Sequence, residues 1–523
     1  MMRIRERACR NLGRDSALRC PDAAARRPYH ASKLALLVCI LAVAVRLFWI
    51  NQPYVDRWSW RQSDVAAIAR NFEQNGFHFA YPQIDWAGNA PGYVGTEFPI
   101  LPFVAAICYK FTGVHEWIGR AQAVFFFAAS LPFFFLFVRE IFGETAATWA
   151  TFFYSFAPLN VFAGRSFMPD MPSLSLALIG LYFFFRWIES FAKAFFFASA
   201  ILISLSILVK LPSILIGAPL AYVAVVAVCD RRPTPGKFGG HRPPLQWLAL
   251  FGIIALLPSA VWYWHAHQIA EKFYPNHFFG AGGIRVENLS WYWRIVRLTG
   301  ISSFTPVLSI LATLGLFVAP RGKYTRIFHC WLAAMVLFII VVGYGNRHQW
   351  YQLPLVPIAA AFAGAACAFI GSKILSRIAV MTFSILLASS FLVLACLYVQ
   401  PLYRSSSAEL RDAGLELKKL TAPDALIIAA DNGDPTIFYY AERRGWHFLE
   451  KDGIYQGDPS DNRQLIVDFE ELRGRGATHL TFTTNTFWWL EYYPEFTRHL
   501  TESATLLRAT PQFRIYRLTG TRR

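Results

Sequence analysis

Between Ile378 and Val399 the chain carries no charged side chain. At 1.5 Å per residue that stretch is long enough to cross the roughly 30 Å of a bilayer core. Inside hydrocarbon a backbone must satisfy its own N–H and C=O groups, so such a run is a helix. Other apolar runs, shorter or holding a charge or two, are Lys33–Trp49, Trp117–Val138, Ala146–Ala163, Ser173–Phe185, Ala194–Val209, Leu211–Val228, Trp247–Trp264, Ile301–Val318, Ile327–Val342 and Pro354–Ile370. Together they predict a polytopic α-helical membrane protein with about eleven crossings.

The balance of residues agrees: 55% are hydrophobic and only 16% charged, too little charge for a soluble chain of 523 residues. The net charge of +17 would suggest nucleic acid in a soluble protein. Here the cations gather in short segments between apolar runs, which fits the positive-inside bias and argues against a nucleic-acid partner. The eight cysteines show no CxxC or Cys/His grouping, so neither a disulfide framework nor a thiol metal site is indicated.

The charge bias orders the chain. Residues 1–32 are a basic tail, expected on the cytoplasmic side ahead of an uncleaved first helix. Residues 33–400 form the membrane module, whose first outer loop, 51–116, is aromatic and net acidic. Pro99–Phe111 within that loop is apolar but short, suiting a re-entrant or surface helix. Asp230–Pro244 is a basic, Pro/Gly-rich inner loop. Residues 401–523 differ in kind: helix signals at Ala408–Leu420 and Gln464–Arg475 alternate with strand signals at Ala425–Ala430, His479–Thr483 and Phe513–Leu518. That alternation predicts a small α/β domain on the outer side. It has no glycine-rich phosphate loop and is assigned no chemistry.

Chemistry-bearing residues lie at the outer boundary. In Arg57-Trp58-Ser59-Trp60-Arg61-Gln62-Ser63-Asp64 a carboxylate stands among cations and belt tryptophans. From Ser63 onward Val65, Ile68, Ala69 and Phe72 share a side, predicting a short surface helix capped by Ser63 or Asp64. Asp64 is therefore either a cap or a catalytic base. Asp170, in the turn Arg165-Ser-Phe-Met-Pro-Asp170-Met-Pro, is likewise a helix cap or a second acid facing Asp64. Glu97 before Pro99 repeats the choice. The knot Arg347-His348-Gln-Trp-Tyr351 places donors where an arginine fork could grip a phosphate, against the alternative of a snorkelling belt. Lys210, between two apolar runs, is a phosphate contact or a snorkelling lysine. His265 and His267 lie two apart and point away from each other on a helix, so with His277 and Glu271 they make a poor metal site.

Taken in order, these features resemble the polyprenyl-phosphate-sugar-dependent glycosyltransferases of the GT-C class: glycosyltransferase family 39, with the protein O-mannosyltransferases and the lipid A aminoarabinose transferases. The resemblance spans roughly Lys33 to Val399. It rests on Ser63-Asp64…Ala69-Arg70, Glu97-Phe-Pro99, the Arg165…Asp170-Met-Pro turn, Lys210-Leu-Pro212 and Arg347-His348…Tyr351…Leu-Pro354. It implies inverting transfer of a sugar from an undecaprenyl-phosphate carrier to a lipid, glycan or protein acceptor at the periplasmic face of a bacterial inner membrane. It implies Asp64, Asp170 and Glu97 as the catalytic acids. Arg61, Arg165, Lys210, Arg347, His348 and Tyr351 would be the substrate-binding groups. No cofactor is implied, and a divalent cation is left open. The chain departs from the family pattern at Val65, where an acid often stands, and at Phe98, where the aminoarabinose enzymes have lysine; the second departure argues against aminoarabinose. Two rival expectations are a transporter or flippase of lipid-linked sugars, which would bury acids mid-span, and an O-antigen or wall-polymer ligase.

Overall fold

The computed structural model describes residues 21–229, 243–278, 284–451 and 454–519. Most of the expected basic tail and inner loop lies outside them. Among the described residues, seven helices are long and apolar enough to cross a membrane, or eight if the bent pair Leu289–Ser303 and Pro306–Val318 is one span. They include Glu116–Phe142, Asp170–Ser190, Leu245–Lys272, Leu355–Lys373 and Arg377–Val399. Others expected from the apolar runs are shorter or interrupted. Lys193–Val209 has 17 residues, and the run Ala146–Ala163 breaks at Ala157 into Glu144–Phe156 and Pro158–Ala163. Pro158 lacks an N–H and restricts the residue before it, so the helix ends there.

Helices facing outward present Ile253, Leu257, Val261, Ile385, Leu386 and Val393 at high exposure. A stable monomer in water does not carry such a surface, whereas lipid does. On the inner side, Gly364 lies against the backbone of the helix Glu144–Phe156, where a Cβ would stand 2.2 Å from the Ala146 carbonyl oxygen. Close backbone approach through a small residue is how helices pack where no hydrophobic effect drives them together.

The C-terminal lobe is a five-stranded sheet in the order β2-β1-β5-β7-β6. Here β1 is Leu426–Ala430, β2 Arg444–His447, β3 Glu450–Lys451, β4 Ile454–Tyr455, β5 His479–Thr483, β6 Ala504–Ala509 and β7 Phe513–Leu518. Strands β2, β1 and β5 run parallel, β7 and β6 antiparallel, and β3 and β4 form a separate hairpin. Of these strands, β2 and β6, like the two-residue β3 and β4, carry no periodicity that marks them in the sequence. β2 begins with Arg-Gly and is four residues long, and β6 is a weakly buried edge, so neither shows an alternating apolar signature.

One expectation is corrected. The helix carrying Asp64 spans Ser59–Gln74, with Asp64 in its second turn and neither Ser63 nor Asp64 at the cap. It does not lie on a surface: residues from Ser59 to Phe72 are buried nearly all round. Ile68 and Phe72 share one core with Ile84, Trp86, Leu410, Leu417, Ile427 and Phe438. Val65 and Ala69 share another with Leu101, Ile118, Phe167 and Tyr439. The helix is thus clamped between the membrane module and the lobe, and its polar residues are enclosed rather than solvated.

Candidate active site

Enclosure forces every charge on this helix to find a partner, since an unpaired buried ion is costly. The helix start is fixed by Asp56, which is fully buried. Its carboxylate accepts from Arg120 at 3.2 Å, Arg165 at 3.4 Å, Gln62 at 2.7 Å and the Trp58 N–H at 3.2 Å. Arg165 also donates to the Phe48 and Trp49 carbonyls at 3.2 Å and to Gln52 Oε1 at 3.0 Å. Expected among the substrate-binding cations, it lies buried inside this cluster, where both its terminal nitrogens hydrogen-bond protein groups.

One turn further on lies a second network, drawn from four separate stretches of chain. Arg61 Nη1 stands 3.6 Å from Asp64 Oδ2, while Arg61 Nη2 donates to both Glu97 oxygens at 2.8 Å. Lys210 Nζ lies 3.2 Å from Glu97 Oε1 and 3.6 Å from Asp170 Oδ1. Five residues singled out in the sequence are therefore one connected ion-pair chain: Asp64, Arg61, Glu97, Lys210, Asp170. The capping alternatives fall away. Asp170 and Glu97 each sit beside a helix start, but the N-caps are Pro169 and Pro99, and neither helix has a side-chain cap.

The acids are not equivalent. Burial pushes Asp64 up to about 6, although Arg61 and a hydrogen bond from the Trp86 indole N–H at 3.1 Å both oppose it. Burial would raise Glu97 too, but the cations Arg61 and Lys210 beside it hold it well below the ordinary carboxylate range. Two carboxylates with separated proton affinities are the raw material of acid–base chemistry. Asp170 Oδ2 is buried without a hydrogen-bond partner among the described residues.

The expected phosphate knot lies alongside. Lys210 Nζ is 5.0 Å from the Tyr351 ring centroid. His348 stacks on Trp350 at 4.4 Å and lies 5.5 Å from Trp60. Burial and the nearby cations push His348 down to about 3, so it is a neutral ring near pH 7. Arg347 is exposed, its guanidinium 4.2 Å from the Tyr344 ring. Trp60, His348 and Arg347 line one side of a polar cavity of about 360 Å³, with Asp431, Asn432 and Asp434 of the lobe on the other. A separate apolar cavity of about 640 Å³ opens among Leu289, Val296, Phe304, Val336 and Phe362.

Sequence reasoning missed the lobe's share of this wall. Asp431 follows β1, the middle of three parallel strands, and acids beyond the carboxyl ends of parallel strands are where ligands gather. That was the available signal. His265 Nε2 instead bonds the Ala80 carbonyl, and His267 pairs with Glu271 at an exposed surface. No group of three or more His, Cys, Asp or Glu positioned to hold a metal occurs among the described residues.

Residues 96–264 match the profile of the family described as dolichyl-phosphate-mannose-protein mannosyltransferase. The sequence matches no curated protein. By structure the chain is similar to ArnT from Cupriavidus metallidurans bound to undecaprenyl phosphate, with 14% identity and a TM-score of 0.62 over 93% of this chain and 98% of that one. It is also similar to the archaeal oligosaccharyltransferase AglB from Archaeoglobus fulgidus in complex with an inhibitory peptide and a dolichol-phosphate. There the identity is 13% and the TM-score 0.56, over 94% of this chain and 74% of that one.

Proposed function

We propose, for a multi-pass membrane protein of the GT-C glycosyltransferase class, inverting transfer of a sugar from a polyprenyl-phosphate carrier to an acceptor hydroxyl. The family match over residues 96–264 and the fold shared with lipid-phosphate-bound ArnT and AglB support the donor class. The observation that carries the mechanism is the single ion-pair chain Asp64–Arg61–Glu97–Lys210–Asp170.

Inversion in one displacement needs a base on the acceptor as it attacks the anomeric carbon, and cations on the departing phosphate. Asp64 is the base. With its proton affinity near 6 it is mostly ionised at neutral pH yet still able to take a proton. Trp86 holds one of its oxygens, and the other, 3.6 Å from Arg61, is the one that would take the acceptor's proton. Lys210 has three N–H donors and two acidic neighbours, so one donor remains for phosphate. Arg347, exposed at the seam, supplies the second cation. Glu97 holds Arg61 and Lys210 in register, and the unused oxygen of Asp170 accepts a sugar hydroxyl. The apolar cavity takes the isoprenoid chain, and the polar seam cavity takes the acceptor.

The reading places the lobe and seam on the periplasmic side of a bacterial inner membrane. A flippase would need its charged groups midway along broken spans. Here Asp170 begins a span, Lys210 lies between two helices and Asp64 is outside all of them, which favours the enzyme. The test is Asp64→Asn in sealed vesicles supplied with a labelled undecaprenyl-phosphate sugar, with and without EDTA. A loss of transfer of about 10²-fold or more is expected; transfer equal to wild type would remove Asp64 from the mechanism.

A further inference from the structure

Trp86 joins the C-terminal lobe to Asp64. Its indole N–H donates to Asp64 Oδ1, and its ring is set between His447, 5.3 Å away at 42°, and His277, 5.5 Å away at 75°. His447 is itself immobilised: it is buried, and its Nδ1 lies 2.8 and 2.9 Å from the two oxygens of Asp431. Asp431 is fixed in turn by the Gly433 N–H at 3.0 Å. The backbone completes the clamp. β2 is an edge strand, and the first outer loop lies along it: the Gly445 N–H donates to the Asp85 carbonyl at 3.1 Å, and the Gly88 N–H to the Gly445 carbonyl at 2.7 Å. Trp86 is thus held between two backbone bonds to β2, the strand that ends in His447.

We infer that His447, anchored by Asp431, is a positioning residue that fixes the Trp86 indole against Asp64, so that the C-terminal lobe completes the catalytic centre. This rests on the reading of Asp64 as the base. A buried His–Asp pair adds little to stability compared with apolar side chains of the same size, so stabilising the sheet does not account for it. The groups around Asp64 are Arg61 from its own helix, with Glu97 behind it, Asp85 and Trp86 from the loop, and His447 from the lobe. Around His447 stand Asp431, Asp434 and Asp64, with His277 across the Trp86 ring. His447 packs against the Trp86 ring and Trp86 donates to Asp64, so the lobe favours the ionised carboxylate through that one hydrogen bond.

The experiment is the pH dependence of kcat/KM for full-length His447→Asn and Trp86→Phe in vesicles, beside wild type and Asp64→Asn. Asparagine keeps a donor for Asp431 but loses the ring that packs on Trp86. Both variants are expected to move the acid limb upward by about half to one pH unit, a threefold to tenfold loss at pH 5.5 and a smaller one at pH 8. The double variant should shift no further than the larger single shift, because both act through one contact. Melting in detergent reports folding, and Asp431→Asn, expected to shift the limb in the same direction, stands in should His447→Asn not fold. Equal losses at every pH with unmoved limbs, in variants that melt like wild type, would overturn the inference while inactivity of Asp64→Asn upheld the base. Full activity of Asp64→Asn would instead bring down the underlying reading.

Discussion

Replacing Glu97 with glutamine keeps the shape of the network and removes the charge at its centre. Glu97 accepts two hydrogen bonds of 2.8 Å from Arg61, one of 3.2 Å from Lys210 and one of 3.0 Å from Thr96. Removing one member of a buried pair costs about 3–5 kcal/mol. The low end applies here, since Arg61 keeps Asp64 and Lys210 keeps Asp170. The sharper consequence falls on Asp64. At its present 3.6 Å, the Arg61–Asp64 attraction is roughly 4.6 kcal/mol at an effective dielectric of 20. Freed from Glu97, the guanidinium can close to a direct hydrogen bond near ~2.8 Å, where the same arithmetic gives roughly 5.9 kcal/mol. The difference of about 1.3 kcal/mol is about one pH unit in favour of the ionised carboxylate. The acid limb of kcat/KM should therefore move from near 6 to near 5 in Glu97→Gln, opposite in sign to the shift expected on losing His447 or Trp86. The assay is label transfer across pH 4.5–8 in vesicles, with melting by tryptophan fluorescence in detergent. A limb that stays in place or moves upward in a folded Glu97→Gln protein would refute the argument that Arg61 is shared between the two acids.

Wild-type transfer should itself fall about tenfold per pH unit below 6, because the base must be ionised; a flat profile down to pH 5 would contradict that assignment. Lys210→Gln should raise the KM for the lipid-phosphate donor about tenfold or more while the protein stays folded, read by titrating donor at fixed acceptor. Arg165→Met should behave differently: its cluster about Asp56 is structural, so the variant should melt lower, consistent with a loss of about 3 kcal/mol or more. An Arg165→Met protein of normal stability with weakened donor binding would return Arg165 to the substrate site. Gly88→Ala should loosen the lobe, since the position has a φ of +56° and its Cβ would stand 1.9 Å from the Trp446 ring. Faster proteolysis of the lobe would report this, and an unaltered digestion pattern would count against the clamp.

Much of this protein is legible in residue order alone. Long runs without charge, such as Ile378–Val399, can only be helices in a membrane, because nothing else there satisfies the backbone. The strands His479–Thr483 and Phe513–Leu518 and the helix Ala408–Leu420 carry their own periodicity and form where expected. The acids and cations beside the apolar runs are visible as residues that hydrocarbon would reject. What the order could not decide was which of them meet. Arg61 and Glu97 are 36 positions apart and Lys210 another 113, and no local rule distinguishes Lys210, which joins the network, from Arg165, which folds away onto Asp56. Nor could periodicity show that the helix Ser59–Gln74 is covered on both sides, since its apolar stripe describes one face and says nothing about what packs on the other. Burial by the lobe makes those polar residues partners instead of surface charges. It also raises Asp64 toward 6 and brings His447 and Asp431 from a distant domain to the Trp86 ring. Local chemistry chose the helices, and long-range packing, by excluding water from one charged helix, made the site.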